Sequence, residues 1–489
     1  MNINKAETSI KKASLINAGS KYVNIFLGIL FSAILARILT PNDYGIVAIV
    51  TVFTTFFTVL SNCGLQLAVI QNKDFEQKDI NTLFTFSLYF GLILAGLFSL
   101  SSIWISRFYG DSVYIPICLI LSISVFFNTI NAVPDGLLRK DKKFVLIALR
   151  LIIVSFLTYG VTIILALLNF KYYALVFQSV VSSLLIFLWN LKNVKVGFVK
   201  KIDWNVIKKI KGYSGYNFLF NFVNYFSRNL DKMLIGKVLG NEELAQYNKA
   251  YHFMLYPVQN LTNIISPVLH PILSDYQDDK AYIYERYMKV VKLLSLIGVF
   301  VTAFCFCASR EIILLLYGRQ WEIAVDCFKY MSLAIWVQMI GGTSGALFAA
   351  LGDTKRHFYI SIINTALSII AIAIGIYQKN IVRVSIYNSI ALIIHFFISF
   401  IPLIKQSMNQ SFSLFIKALL PDVFIMAILF VLSFFINKLI PIENLILAFF
   451  VKGIIMGLVY FILLLMLRQQ KHLALILPQK IRSKFSSLH

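Results

Sequence analysis

Between residues 217 and 232 the side chains of Asn217, Asn221, Asn224, Arg228, Asp231 and Lys232 recur mostly three or four positions apart. That spacing keeps side chains on one face of an α-helix. The next stretch repeats it with Gln246, Lys249, His252, Tyr256, Gln259 and Asn263. The first long apolar stretch carries Lys21, Asn24, Gly28 and Ser32, and the second a milder Thr51, Thr55, Thr58 and Asn62. Arginine and lysine in such a stripe hold phosphate-like anions through charge-assisted hydrogen bonds. Two plainer roles compete. Asn, Ser and Thr hydrogen-bond neighbouring helices, and Arg228 with Asp231 at i and i+3 form an ion pair on one helix. Neither accounts for Lys232 and Lys249, so a water-filled cavity with surplus positive charge explains the set better.

The elements that must position these residues follow from composition. Of 489 residues, 59% are hydrophobic and 14% charged, and the mean hydropathy is +0.78. Soluble domains carry about a quarter charged residues, whereas a membrane-crossing helix needs about 20 mostly apolar ones. The apolar stretches predict an all-α integral membrane protein of about 14 transmembrane helices. The polar stripes then fall on the first, second, seventh (212–236) and eighth (244–269) spans. An ionised group at the bilayer centre costs about 2.5–3.5 kcal/mol, so Arg228, Asp231 and Lys232 must face protein or water. Arg150, Lys329, His395, Asp422 and Lys452 stand more isolated within other spans.

The excess of 45 Lys and Arg over 22 Asp and Glu gives a formal charge of +23. Its placement explains it without nucleic acid. Basic residues gather on one set of connecting segments, above all Arg139, Lys140, Lys142 and Lys143, then Lys192 through Lys211. Short cytoplasmic loops have this bias, which puts both termini and Lys280 inside and Glu242 outside. The first span exceeds the core length of a cleaved signal, and its retention is expected. Cys63, Cys118, Cys305, Cys307 and Cys327 lie in or at the ends of apolar stretches without a metal-binding spacing, so they read as packing residues. There is no GxxxxGK[ST] and no HExxH, and no cofactor or metal is expected.

The chain also repeats itself. KYVNIF at 21–26 lies over NFVNYF at 221–226, ARIL at 36–39 over GKVL at 236–239, and TPNDYG at 40–45 over GNEELA at 240–245. Arg37 thereby pairs with Lys237. RKDKKF (139–144) matches DTKRHF (353–358) more weakly. Six spans separate the copies, so the halves share one orientation, as in the parallel repeats of some transporters. The expected division is an N-terminal lobe 1–191, a basic linker 192–211, a second lobe 212–404, and two further helices with a tail over 405–489. In LARILTPNDYG (35–45), Asn42 and Asp43 are placed to cap the second helix, Pro41 suits a turn ahead of it, and Gly45 permits close packing.

These motifs carry a family resemblance. The run NYFSRNLDKMLIGKVLGNEELAQYNKAYHFMLYPVQNLTNIISPVLHPILS (224–274) resembles the seventh and eighth helices of Wzx-type polysaccharide flippases, members of the multidrug/oligosaccharidyl-lipid/polysaccharide exporter superfamily. LARILTPNDYGIVAIV (35–50), GLQLAVIQNKDFEQKDINTLF (64–84), VPDGLLRKDKKF (133–144) and LYGRQW (316–321) resemble the same family, over roughly residues 10–405. The last two spans match only in length and hydrophobicity.

The resemblance implies two six-helix lobes around a central cavity lined by helices 1, 2, 7 and 8, with two C-terminal helices outside the repeat. It implies alternating access that moves an undecaprenyl-pyrophosphate-linked oligosaccharide to the outer leaflet of a bacterial cytoplasmic membrane, for O-antigen, capsule, exopolysaccharide or teichuronic-acid type polymers. Membrane lipids and a polysaccharide polymerase or other assembly proteins are its implied partners. On that reading Arg228, Lys232, Lys249 and Lys21 attract the phosphates. Arg37 and Lys237 are mouth or gate charges, although Arg37 falls off the Lys21–Ser32 face and snorkels outward. Asn24, Asn221, Asn224, His252 and Gln259 meet sugar hydroxyls. Asp231 either orients Arg228 or carries a coupling proton or sodium ion. Two alternatives stand beside it. A multidrug extruder of the same superfamily shares the architecture but is expected to carry an uncompensated cavity acid. A membrane polymerase or glycosyltransferase needs a sizeable loop bearing acid and base groups, and the sequence has no loop of that size.

Overall fold

Backbone in lipid must satisfy its own hydrogen bonds, which leaves apolar stretches of this length as helices. In the computed structural model, residues 3–61, 64–72, 74–208, 225, 229–439 and 442–473 are described; they fold as helices with short turns, and no strand occurs among them. Asn217, Asn221, Asn224 and Arg228 of the expected site lie outside the described residues, as do Asn62 and Cys63.

The chain forms two compact units, Met1–Ala245 and Gln246–His489. The first contains α1 (Ile3–Ile38), α2 (Pro41–Ser61), α3 (Leu65–Gln71), α4 (Gln77–Tyr109), α5 (Tyr114–Ile130), α6 (Ala132–Lys140), α7 (Phe144–Leu167) and α8 (Tyr172–Asn193), followed by helical residues 229–238. Within it α1 packs on α7, α4 on α5, α2 and α8 on α5, and the short α3 on α6. Gly136 makes that last approach possible, because a Cβ there would lie 3.1 Å from the Gln66 carbonyl oxygen.

The helix α9 (Asn241–Ser274) leads into the second unit. There follow α10 (Lys280–Cys307), α11 (Ser309–Tyr317), α12 (Glu322–Ser332), α13 (Ile335–Gly341), α14 (Ser344–Ala350), α15 (Thr354–Tyr377), α16 (Ile381–Pro402), α17 (Phe412–Leu439), α18 (Leu445–Met466) and the short α19 (Gln470–Leu473). α15 packs on α16, and both C-terminal helices, α17 and α18, pack on α10.

Among the described residues 11 helical segments are long and apolar enough to cross a membrane, and the bent pair Arg319–Ser332 plus Ile335–Ala350 makes 12. The expected fourteen differ from these by the two stretches that carry the polar stripes. α9 has the length, at 34 residues, but its polar face keeps it below the apolarity of the others. The 212–236 stretch falls largely outside the described residues. Large apolar side chains cover the lipid-facing surface, among them Leu100, Phe434 and Ile454. The chain is a multi-pass membrane protein.

The turn at 39–45 departs from expectation in detail. The helix starts at Pro41, the first-turn position where its missing N–H costs nothing. Thr40 and Asp43 form a reciprocal cap: the Thr40 N–H donates to Asp43 Oδ2 at 3.0 Å and the Asp43 N–H to Thr40 Oγ1 at 3.2 Å. The cap is therefore Thr40 with Asp43 three residues on, while Asn42 is exposed. Gly45 does allow close packing, since a Cβ there would fall 1.9 Å from the Asn241 carbonyl oxygen.

Candidate functional site

In the first unit the seventh-helix residues pack against α2 and α4. The Tyr225 hydroxyl donates to the Val52 carbonyl, and Lys237 donates to the Phe108 carbonyl while lying 5.1 Å from that ring's centroid. Lys237 is exposed and occupied at the end of α4. Asp231 and Lys232 are half-buried. The Lys232 ammonium lies 3.4 Å from the neutral Asn229 amide oxygen, and among the described residues no carboxylate comes within ion-pair distance of it. On α1, Lys21 and Arg37 are exposed and Asn24 is half-buried. The Asn24 amide oxygen is shielded and accepts no hydrogen bond among the described residues, an arrangement that leaves a polar group in want of a partner.

The α9 stripe separates into three kinds of residue. Gln246 is buried and structural: its amide donates to the Gln320 carbonyl at 2.9 Å and accepts from the Ala324 N–H at 3.0 Å. Lys249 is half-buried, with its ammonium 4.8 Å from the Tyr317 ring centroid and 5.5 Å from that of Trp321. Both rings belong to LYGRQW, so this motif forms an aromatic seat for a cation. His252 and Gln259 are exposed. The structure thus places Lys21, Asn24, Arg37, Asp231, Lys232 and Lys237 in the first unit and Lys249, His252 and Gln259 in the second.

Three of the charges that stand isolated along the sequence, Arg150, Asp422 and Lys452, have charged partners in space. Arg150 donates to Asp135 Oδ1 at 2.7 Å and to Asn190 Oδ1 at 2.6 Å, and Arg139 and Gln66 reach the other Asp135 oxygen. This network joins α3, α6, α7 and α8 through the aspartate of VPDGLLRK. Lys292 donates to Asp422 Oδ1 at 2.6 Å, and Ser295 to Asp422 Oδ2 at 2.6 Å. Lys452 donates to Glu311 Oε1 at 2.7 Å. These two pairs fasten α17 and α18 to α10 and α11. The Asp353 carboxylate, in the repeat of the basic elbow, accepts from Ser407 at 2.7 Å and from Arg356. Cys118, Cys305, Cys307 and Cys327 are buried and unbridged, and no cluster of metal-ligating side chains occurs among the described residues.

One feature of the first unit had only a third of its signal in the sequence stripes. A cavity of about 300 Å³ lies between α2, α5 and α8, lined by Thr51, Thr54, Thr55 and Thr58, by Leu121, Ser124 and Asn128, and by Gln178, Ser179, Ser182, Ser183 and Ile186. The threonine face was visible at helical spacing. The serines of α5 and α8 form no stripe named from the sequence, and the structure brings them to the threonine face.

Comparison with known proteins gives a consistent set. The family described as polysaccharide biosynthesis protein matches residues 34–326. The teichuronic acid biosynthesis protein TuaB of Bacillus subtilis is 23% identical over 352 residues, 70% of this chain and 73% of that protein. The lipopolysaccharide biosynthesis protein WzxC of Escherichia coli is 22% identical over 401 residues, 81% of each. Among solved structures, the lipid II flippase MurJ in its inward closed conformation superposes with a TM-score of 0.73 at 18% identity, covering 93% of this chain and 99% of that one.

Proposed function

This chain belongs to the polysaccharide biosynthesis protein family, and from that premise we propose that it is a flippase moving a lipid-linked oligosaccharide across the bacterial cytoplasmic membrane. The substrate is an undecaprenyl-pyrophosphate-linked repeat unit destined for a cell-surface polymer, and transport runs by alternating access between two six-helix lobes, 1–191 and 212–404. With all fourteen spans in place, both termini are cytoplasmic. A polysaccharide polymerase or related assembly protein receives the product.

The observation that carries this reading is Lys232. It is half-buried beside a neutral amide, whereas Arg150, Lys292 and Lys452 each hold a carboxylate within 2.7 Å. Arg228, Lys249 and Lys21 carry the same charge on the polar stripes of their own helices, where Asp231 is the one acid. Such a stripe attracts a pyrophosphate, and Asn24, Asn221, Asn224, His252 and Gln259 supply hydrogen bonds beside it. Arg37 and Lys237 sit at its outer end, and Asp231 orients Arg228 or carries the coupling ion. The extruder alternative is less favoured, since Asp231, the acid on the stripe, is flanked in the sequence by Arg228 and Lys232. The test is the double substitution Arg228→Ala with Lys232→Ala. Export of surface polysaccharide is expected to stop while membrane levels of the protein stay normal; full export in the double variant ends the phosphate assignment.

A further inference from the structure

We infer that the neutral cavity between α2, α5 and α8 binds the sugar portion of the substrate, apart from the cationic stripe that takes its phosphates. This rests on the flippase reading above and adds the place where the glycan is recognised.

A hydroxyl has a single proton and two acceptor lone pairs. In this cavity most of those protons are already committed to backbone carbonyls. Thr51 donates to Val47 at 2.7 Å, Thr54 to Val50 at 2.9 Å, Thr58 to Thr54 at 2.9 Å, and Ser183 to Val180 at 2.9 Å. Ser124 donates across to the Ser179 carbonyl at 3.3 Å. What these oxygens still offer is lone pairs, and the wall they form accepts hydrogen bonds.

A phosphate, itself an acceptor, finds few uncommitted donors and, among the described residues, no cationic side chain there. A cation finds oxygens but no counter-charge, because among the described residues no ionisable side chain lines the space. A sugar brings several O–H donors and no net charge, which matches both properties. The amides of Gln178 and Asn128 add the mixed donor and acceptor groups that fix a hydroxyl's orientation. The volume, about 300 Å³, is at the lower end of small-molecule sites and about ten times the share of one water in the liquid. α2, one wall of this cavity, also touches the seventh helix through Val52 and Tyr225, so the cavity and Lys232 lie within one unit.

The test uses the full chain in nanodiscs and two probes, undecaprenyl pyrophosphate and the lipid-linked repeat purified from cells that lack the chain. The variant combines Thr51→Val, Thr55→Val and Thr58→Val, which removes hydroxyls at nearly constant shape. Wild type is expected to bind the glycosylated lipid more tightly than the bare one. The variant is expected to lose about tenfold for the glycosylated lipid and to bind the bare lipid unchanged. Ser182→Phe, which fills the space instead, should give the same selective loss. Equal binding of the two lipids by wild type, or an unchanged preference in both variants, overturns the inference and leaves the flippase reading standing. A wild-type chain that binds neither lipid overturns both.

Discussion

Lys292 and Lys232 are both lysines in helical segments, and their surroundings differ in kind. Lys292 is buried, bonded to Asp422 at 2.6 Å and to the Ala418 carbonyl at 2.7 Å. Lys232 is half-buried beside Asn229. The first is paired within the protein and holds α17 against α10; the second has no carboxylate within ion-pair distance among the described residues. Arg150 with Asp135 and Lys452 with Glu311 belong with Lys292. A charge inside a membrane protein is therefore not by itself a sign of a substrate site. The discriminating fact is whether a carboxylate has been brought to it.

The same substitution at the two lysines separates the classes. Lys292→Met leaves Asp422 buried without its partner, and removing one member of such a pair costs about 3–5 kcal/mol. Its expected outcome is a large drop in thermal stability in detergent, recovered when Asp422→Leu is added. Stable protein in the single variant would show that the pair is not structural. Lys232→Met is expected to melt like wild type and to lose at least about tenfold in transport, the size of one charge-assisted contact, with Lys232→Arg retaining most of the rate. The smallest effect is expected at Lys237, whose exposed ammonium caps α4 over Phe108. If that contact is only an anchor, Lys237→Ala loses about 0.5–1 kcal/mol of stability and transports within about twofold of wild type; a larger transport loss makes it a mouth charge.

Much of this architecture was legible because length and hydropathy determine membrane helices almost alone. Gly45 and Asp43 were legible too, since turn and cap chemistry is local, although the cap partner is Thr40 rather than Asn42. The ion pairs were not. Asp422 lies 130 positions from Lys292 and Lys452 lies 141 from Glu311, and no spacing rule relates residues that only tertiary packing joins. Arg150 and Asp135 are 15 apart, yet the bend between α6 and α7 is what brings them together. For the site, helical periodicity found the stripes but could not sort them. Gln246, read as part of a polar lining, is buried in a structural bond to the Gln320 turn, and the aromatic seat of Lys249 comes from a motif 67 or more positions along the chain. The hydroxyl cavity escaped for a related reason: its α5 and α8 faces include serines, which membrane helices also use for ordinary packing.

The most direct measurement is mass spectrometry of lipid-linked repeat units in cells deleted for this chain. The account predicts that these units accumulate on the cytoplasmic face, that the wild-type chain clears them, and that the Lys232→Met variant does not. Absence of any accumulation, together with new sensitivity to toxic compounds, would contradict it.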